Sequence, residues 1–223
     1  MIVYFKNTLT RKNLMALTGL FLSFFLIIHL LGNLQLLLPE EQARLQYNWY
    51  SNFLSTNILV EIIAYVLYGC ILAHTIDAIY LRIKSKKANG PRLQYNRRSR
   101  ASTWYSRNMM FLGIIIFLFL VIHFKDFWYA YKYGGQLPFD ENGYKDLYSL
   151  VVTSFGELWY VLLYSLAFLA LGFHLLHGVF SAHRSLGVYH SFYSRLIKIL
   201  SLVFAIVITL GYLIIPITIY CKS

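Results

Sequence analysis

Five long apolar runs dominate the chain, at residues 14–38, 58–81, 109–129, 158–181 and 196–219, with most of the charged residues in the stretches between them. As a helix rising 1.5 Å per residue, each run is long enough to cross about 30 Å of hydrocarbon. The pattern predicts an all-α, polytopic membrane protein with five transmembrane helices. The first four are expected to form a four-helix bundle and the fifth to lie peripherally, in one transmembrane unit, 1–223, with a loop at 82–108. Composition agrees: a chain that is 58% hydrophobic and 13% charged is not a soluble globular domain, and almost nothing remains outside the runs to build one. The first run is expected to be retained, because it is too long for the apolar region of a signal peptide and lacks a small-residue cleavage site.

The net charge of +11 matters through its placement. Lys6, Arg11 and Lys12 precede the first run. Arg82, Lys84, Lys86, Lys87, Arg92, Arg97, Arg98, Arg100 and Arg107 lie between the second and third, and Arg184, Arg195 and Lys198 between the fourth and fifth. The alternate connections are mixed: Glu40, Glu41 and Arg44 in one, and Lys125, Lys132 and Lys145 against Asp126, Asp140, Glu141, Asp146 and Glu157 in the other. The positive-inside rule then places the N-terminus in the cytoplasm and the C-terminus outside, as expected for a multi-pass protein of a bacterial cytoplasmic membrane. Membrane topology and anionic lipid account for the basic charge, and nucleic acid is not expected as a partner.

Four of the runs carry one central histidine each: His29, His74, His123 and His174. An ionisable ring in hydrocarbon is costly and usually functional. A concealed repeat frames them. RKNLMALTGLFLSFFLIIH and SRNMMFLGIIIFLFLVIH both place a glycine, Gly19 or Gly113, ten residues before the histidine, and a weaker echo links YVLYGCILAHTID with YSLAFLALGFHLLH. The chain thus reads as two parallel copies of a helical hairpin plus a fifth helix.

Depth pairs the histidines. His29 and His123 fall roughly 21 to 22 Å from the inner face, whereas His74 and His174 fall roughly 22 to 24 Å from the outer one. In an up-down bundle with short connections the first helix faces the third, and the second faces the fourth. Two imidazoles then converge at each of two levels, roughly 14 Å apart. Such pairs suit two bis-histidine haems, with no open coordination position, as in electron transfer. The competing reading makes each histidine an interhelical hydrogen-bonding residue. His177, one turn beyond His174, is a second candidate ligand or a partner for a haem propionate. Ser106 and Arg107, entering the third run, are candidates for the inner haem's surroundings, with Arg11 or Lys12 assisting. His183 and His190 are expected to face solvent. Cys70 and Cys221 are too far apart in depth for a disulfide and too few for a zinc or iron–sulphur site, and without C-x-x-C-H any haem is held non-covalently.

Quinone chemistry needs protons as well as electrons, and Glu61, near the outer end of the second run, is the candidate acid on a quinone proton path. It is equally readable as a helix-start carboxylate placed against the dipole.

FLIIHLLGN, GCILAHTIDAIY, SRNMMFLGIIIFLFLVIHF and GFHLLHGVFSAH, in this order, resemble the cytochrome b558 family, the single-chain dihaem membrane anchors of succinate dehydrogenases and fumarate reductases. The resemblance spans essentially the whole chain and is most specific at HLLGN, SRNM and HLLHG. It implies two b-type haems, the inner held by His74 and His174 and the outer by His29 and His123. It also implies a cytoplasmic flavoprotein subunit, an iron–sulphur subunit, and quinone, more often menaquinone than ubiquinone, as the membrane partner. The dicarboxylate chemistry would belong to the flavoprotein. The basic 82–108 connection is the docking candidate. Alternatives are a dihaem cytochrome b of another membrane dehydrogenase or reductase, and a transporter relaying protons through buried histidines. The sequence leaves open the physiological direction and whether the complex forms a higher oligomer.

Overall fold

The computed structural model describes residues 7–88, 102–135, 137–188 and 190–223. Its helices are α1 (Thr8–Asn33), α2 (Glu40–Thr56), α3 (Ile58–Ala88), α4 (Trp104–Arg107), α5 (Met109–His123), α6 (Ala130–Lys132), α7 (Leu147–Phe155), α8 (Leu158–Ser185) and α9 (Ser191–Lys222). A 3₁₀ turn, Leu34–Leu37, prolongs α1, and a π-helical turn, Phe124–Tyr129, joins α5 to α6. Among the described residues there is no strand, only an isolated bridge between Phe139 and Lys145. Five helical stretches are long and apolar enough to cross a membrane. The chain is therefore all-helical and membrane-embedded.

Helix ends follow polar capping rather than the limits of hydropathy. Asn7 accepts a hydrogen bond from the Leu9 amide at 3.0 Å, so α1 begins well before residue 14. The second run continues through Lys84, Lys86 and Lys87 to Ala88. At the end of α8, Gly187 adopts φ +80° while its amide and that of Val188 return to the carbonyls of Arg184 and His183 at 3.2 and 3.0 Å. This is a Schellman stop, which requires a left-handed residue. In the basic connection, Arg92, Arg97, Arg98 and Arg100 lie outside the described residues, as does Lys6.

Around the bundle, α1 packs on α3 and α8, and α5 packs on α8 and more lightly on α3. α1 and α5 therefore oppose each other diagonally, as do α3 and α8. α8 is central, burying Val161, Tyr164, Phe168 and Leu175, whereas α3 buries only Leu67 and Asp77 and turns most of its apolar side chains outward. Outward apolar faces are the expected state of lipid-contacting helices.

Two expectations need correction. The fifth helix is not peripheral: α9 packs extensively against α8 and also touches α1. Its buried residues, Ser201, Ala205, Ile208, Tyr212, Ile215 and Ile219, recur every three or four positions and make one continuous seam. Small residues permit the approach, since a Cβ on Gly172 would collide with Thr209 Oγ1, and one on Gly211 would come within 2.6 Å of Leu30 Cδ2. The first and third connections, those expected on the outer side, are also not simple short loops, because they contain the amphipathic helices α2 and α7, which pack on each other.

A polar cluster joins these two helices. Asn48, fully buried, donates to Asp140 and Asp146 at 3.0 Å each and accepts the Tyr148 amide at 2.9 Å. Asp146 caps α7 through the Ser149 amide and hydroxyl and pairs with Arg44. Burial opposes the charge on Asp146, but the hydrogen bonds from Asn48 and Ser149 and the Arg44 guanidinium outweigh it and hold the carboxyl below its usual range. Because the folded value is depressed, this stabilisation is complete above the ordinary aspartate value of about 3.9 and disappears as pH falls through the lower folded value.

Asn48→Ala is expected to destabilise the outer cap by about 1–3 kcal/mol, by stranding buried acceptors. Hydrogen exchange in α7 should read this as faster exchange, and the difference from wild type should shrink below pH 4. Gly172→Val should lower stability by about 1–3 kcal/mol through overpacking against α9, seen as a lower thermal midpoint in detergent. An unchanged midpoint would show that the α8–α9 seam tolerates the bulk.

Candidate histidine-pair site

The bundle brings the four histidines together two by two. His29 of α1 and His123, the last residue of α5, stand with ring centres 5.8 Å apart and planes at 85°. His74 of α3 and His174 of α8 stand 6.3 Å apart at 62°. The pairing expected from depth is therefore the pairing in space.

At the His29–His123 pair, expected to lie outward, a phenylalanine one turn before each histidine stacks on its ring: Phe25 on His29 at 5.2 Å and Phe119 on His123 at 5.6 Å. Helical geometry places residues four apart on one face, so the repeated F-x-x-x-H spacing produces the contact twice. Tyr212 of α9 lies 6.0 Å from the His29 ring, stacks on Phe168 and donates to the Leu26 carbonyl at 2.9 Å. The HLLGN motif has a local meaning. Asn33 donates to the His29 carbonyl at 2.8 Å and accepts from Tyr47, while Gly32 leaves room for Tyr50, whose ring a Cβ there would meet at 2.6 Å.

At the His74–His174 pair, expected to lie inward, His74 Nδ1 lies 3.2 Å from Thr18 Oγ1. The Thr18 hydroxyl spends its hydrogen on the Leu14 carbonyl at 2.9 Å, so it accepts from the imidazole. With that hydroxyl as acceptor, a proton on His74 Nδ1 leaves the Nε2 lone pair available. The repeat glycines meet these same rings: a Cβ on Gly19 would lie 3.1 Å from His74 Cε1, and one on Gly113 would lie 3.9 Å from His174 Cε1. Each glycine belongs to the membrane-spanning helix before that histidine's own, giving both hairpins the same internal arrangement.

Other candidates are dispersed. His177 does not join His74 and instead leans on Tyr105, with ring centres 6.4 Å apart. Arg11 forms an ion pair with buried Asp77, one turn beyond His74, and lies over the Tyr80 ring at 4.3 Å. Arg107 donates to the Ser102 carbonyl, and the Ser106 amide is capped by Thr103. His183 is engaged by the Val179 carbonyl, and His190 caps α9. Glu61, in the first turn of α3, pairs with Lys132 at 2.7 Å, and Lys132 also lies near the Tyr65 ring.

The residues fit a planar metal group held from both faces. Two imidazole nitrogens, each about 2.0–2.1 Å from one metal ion, put the ring centres about 6 Å apart, close to both observed separations. His174 Nδ1 is buried without a hydrogen-bond partner, a polar atom left for a role outside the protein's own packing. Among the described residues no three or more His, Cys, Asp or Glu side chains converge as for a bare metal ion. Each pair would offer one imidazole from either side to such a group, which would bring its remaining ligands.

Sequence reasoning overlooked the partners of the imidazoles. Tyr164 Oη lies 3.3 Å from His123 Nδ1, and Tyr160 and Asp126 continue from it. The legible signal was a tyrosine pair four residues apart on α8, opposite an acidic residue three positions after a histidine. Compared with protein-family models, curated proteins and solved structures, the chain matches none.

Proposed function

We propose that this chain is a dihaem cytochrome b membrane anchor of a succinate:quinone oxidoreductase, passing electrons between cytoplasmic dehydrogenase subunits and quinone. The observation that carries the proposal is the meeting of four intramembrane imidazoles, one per helix, as two facing pairs. On this reading His29 and His123 hold an outer haem, and His74 and His174 an inner one. When bound, each haem would supply reversible one-electron transfer. Thr18 and Tyr164 orient one imidazole in each pair, as the outer partners of metal-bound histidines do. Phe25 and Phe119 restrain the outer rings, and Gly19 and Gly113 keep side-chain bulk away from the inner ones.

The choice of partners rests on the resemblance carried by HLLGN, SRNM and HLLHG, together with the charge placement. An iron–sulphur subunit and a flavoprotein would dock at the basic, cytoplasmic side. Quinone would be served near the outer pair, where Glu61 and Lys132 form a polar contact among aromatic side chains at the outer ends of α3 and α6. Glu61 is suited to exchange a proton there, with the Lys132 ammonium holding its carboxylate in place.

In reduced-minus-oxidised spectra of the purified protein, His29→Ala and His123→Ala are expected to remove one and the same haem component. His74→Ala and His174→Ala should remove the other, and His177→Ala should keep both. A colourless wild-type protein, or different losses within one pair, contradicts the assignment. Glu61→Gln is expected to slow quinone turnover about 10²-fold with both components retained. Unchanged turnover would remove Glu61 from the proton path.

A further inference from the structure

The outer pair differs from the inner one in where its hydrogen bonding ends. Tyr160 donates to Asp126 Oδ2 at 3.0 Å, and this uses its only hydrogen. The contact between Tyr160 and Tyr164, 3.3 Å between hydroxyl oxygens, therefore has Tyr164 as donor. Tyr164 has then also used its hydrogen, so at 3.3 Å it accepts from His123 Nδ1–H. Hydrogen counting gives the chain a single direction, from His123 through Tyr164 and Tyr160 to the Asp126 carboxylate. At the inner pair, the corresponding path from His74 stops at Thr18 and the neutral Leu14 carbonyl.

The chain is held firmly. Tyr160 and Tyr164 are 4% and 2% exposed and stack on each other with ring centres 4.8 Å apart. Phe119, Phe127 and Phe155 pack around them. Buried hydroxyls in such a setting are costly unless bonded, which makes the connected arrangement the specified one. Both ends lie on one strand of chain: His123 closes α5, and Asp126 sits in the π-helical turn that follows. Wide turns of this kind often occur at functional sites. Lys125, 80% exposed, is the partner of Asp126 on the outer side, and an exposed pair of this sort screens the carboxylate only weakly.

We propose that Asp126, Tyr160 and Tyr164 are positioning residues, a one-way hydrogen-bond relay that fixes His123 as the Nδ1–H tautomer and sets the reduction potential at the outer histidine pair. This rests on the reading of the histidine pairs as haem ligands. A hydrogen bond from Nδ1–H into a chain ending on a carboxylate raises the electron density of the imidazole. A more electron-rich ligand favours the oxidised over the reduced metal and so lowers the potential.

The test is a redox titration of the intact complex in membranes, following the component that His29→Ala and His123→Ala remove. Tyr164→Phe breaks the first link, Tyr160→Phe breaks the second while keeping the charge, and Asp126→Asn removes the charge while keeping an oxygen acceptor. Each is expected to raise the midpoint potential of the outer component, by about 59 mV for a tenfold change in the one-electron equilibrium, with the inner component unmoved. Unmoved potentials with both components present would overturn the relay. A shift in Asp126→Asn without one in Tyr160→Phe would also overturn it, since the carboxylate would then act through space. Should the tyrosine variants fail to accumulate, Asp126→Asn decides: an unmoved potential there overturns the relay. Absence of any haem component in the wild type would instead overturn the reading on which the relay rests.

Discussion

An imidazole inside a bilayer must find a partner, and the packing of this protein is arranged around four that do so in twos. His29 meets His123, and His74 meets His174, across the two diagonals of the bundle. The geometry depends on the order of helices, because only with α1 opposite α5, and α3 opposite α8, can rings from non-consecutive helices converge. Small residues then determine how closely the rings are approached. Gly19 lies tight against the His74 ring, where a larger side chain would encroach, and Gly113 lies beside the His174 ring at ordinary contact distance.

The two levels share a plan and differ in support. In both, hydrogen-bonding partners supplied by a neighbouring helix orient one histidine: Thr18 for His74 and Tyr164 for His123. The outer level carries more structure around it. Aromatic side chains from α5, α7 and α8 enclose the tyrosines, and α9 adds Tyr212 beside His29. The amphipathic pair α2 and α7, tied by Asn48 and Asp146, covers this end and links its two connections. The inner level instead has the Arg11–Asp77 ion pair, an economical way to retain a charge one turn from His74.

Much of this was legible in the sequence, for physical reasons. Hydropathy over long runs is a strong signal in a membrane protein, so the five spans and the depth of each histidine could be read directly. The pairing followed because a helix has a fixed rise. Short-range polar chemistry was harder to read. The Asn7 cap and the lysines continuing α3 extend helices beyond their apolar runs, where hydropathy has no information. α2 and α7 have too little apolar surface to register as spans. The role of α9 was misjudged although its signal was present: the seam from Ser201 to Ile219 has the period of a packed helix, but it is concealed because the lipid-facing residues are equally apolar. Arg11 was read from sequence only as a candidate for the inner haem's surroundings, because only the fold brings Asp77 to it.

The central claim is that each histidine pair holds one haem. Its most direct test is the haem content of the purified, unmodified chain, measured by extraction and quantified against protein mass. Two non-covalently held b-type haems per chain are expected, both low-spin in the oxidised state. A content near zero, or a high-spin iron with an open axial position, would contradict it.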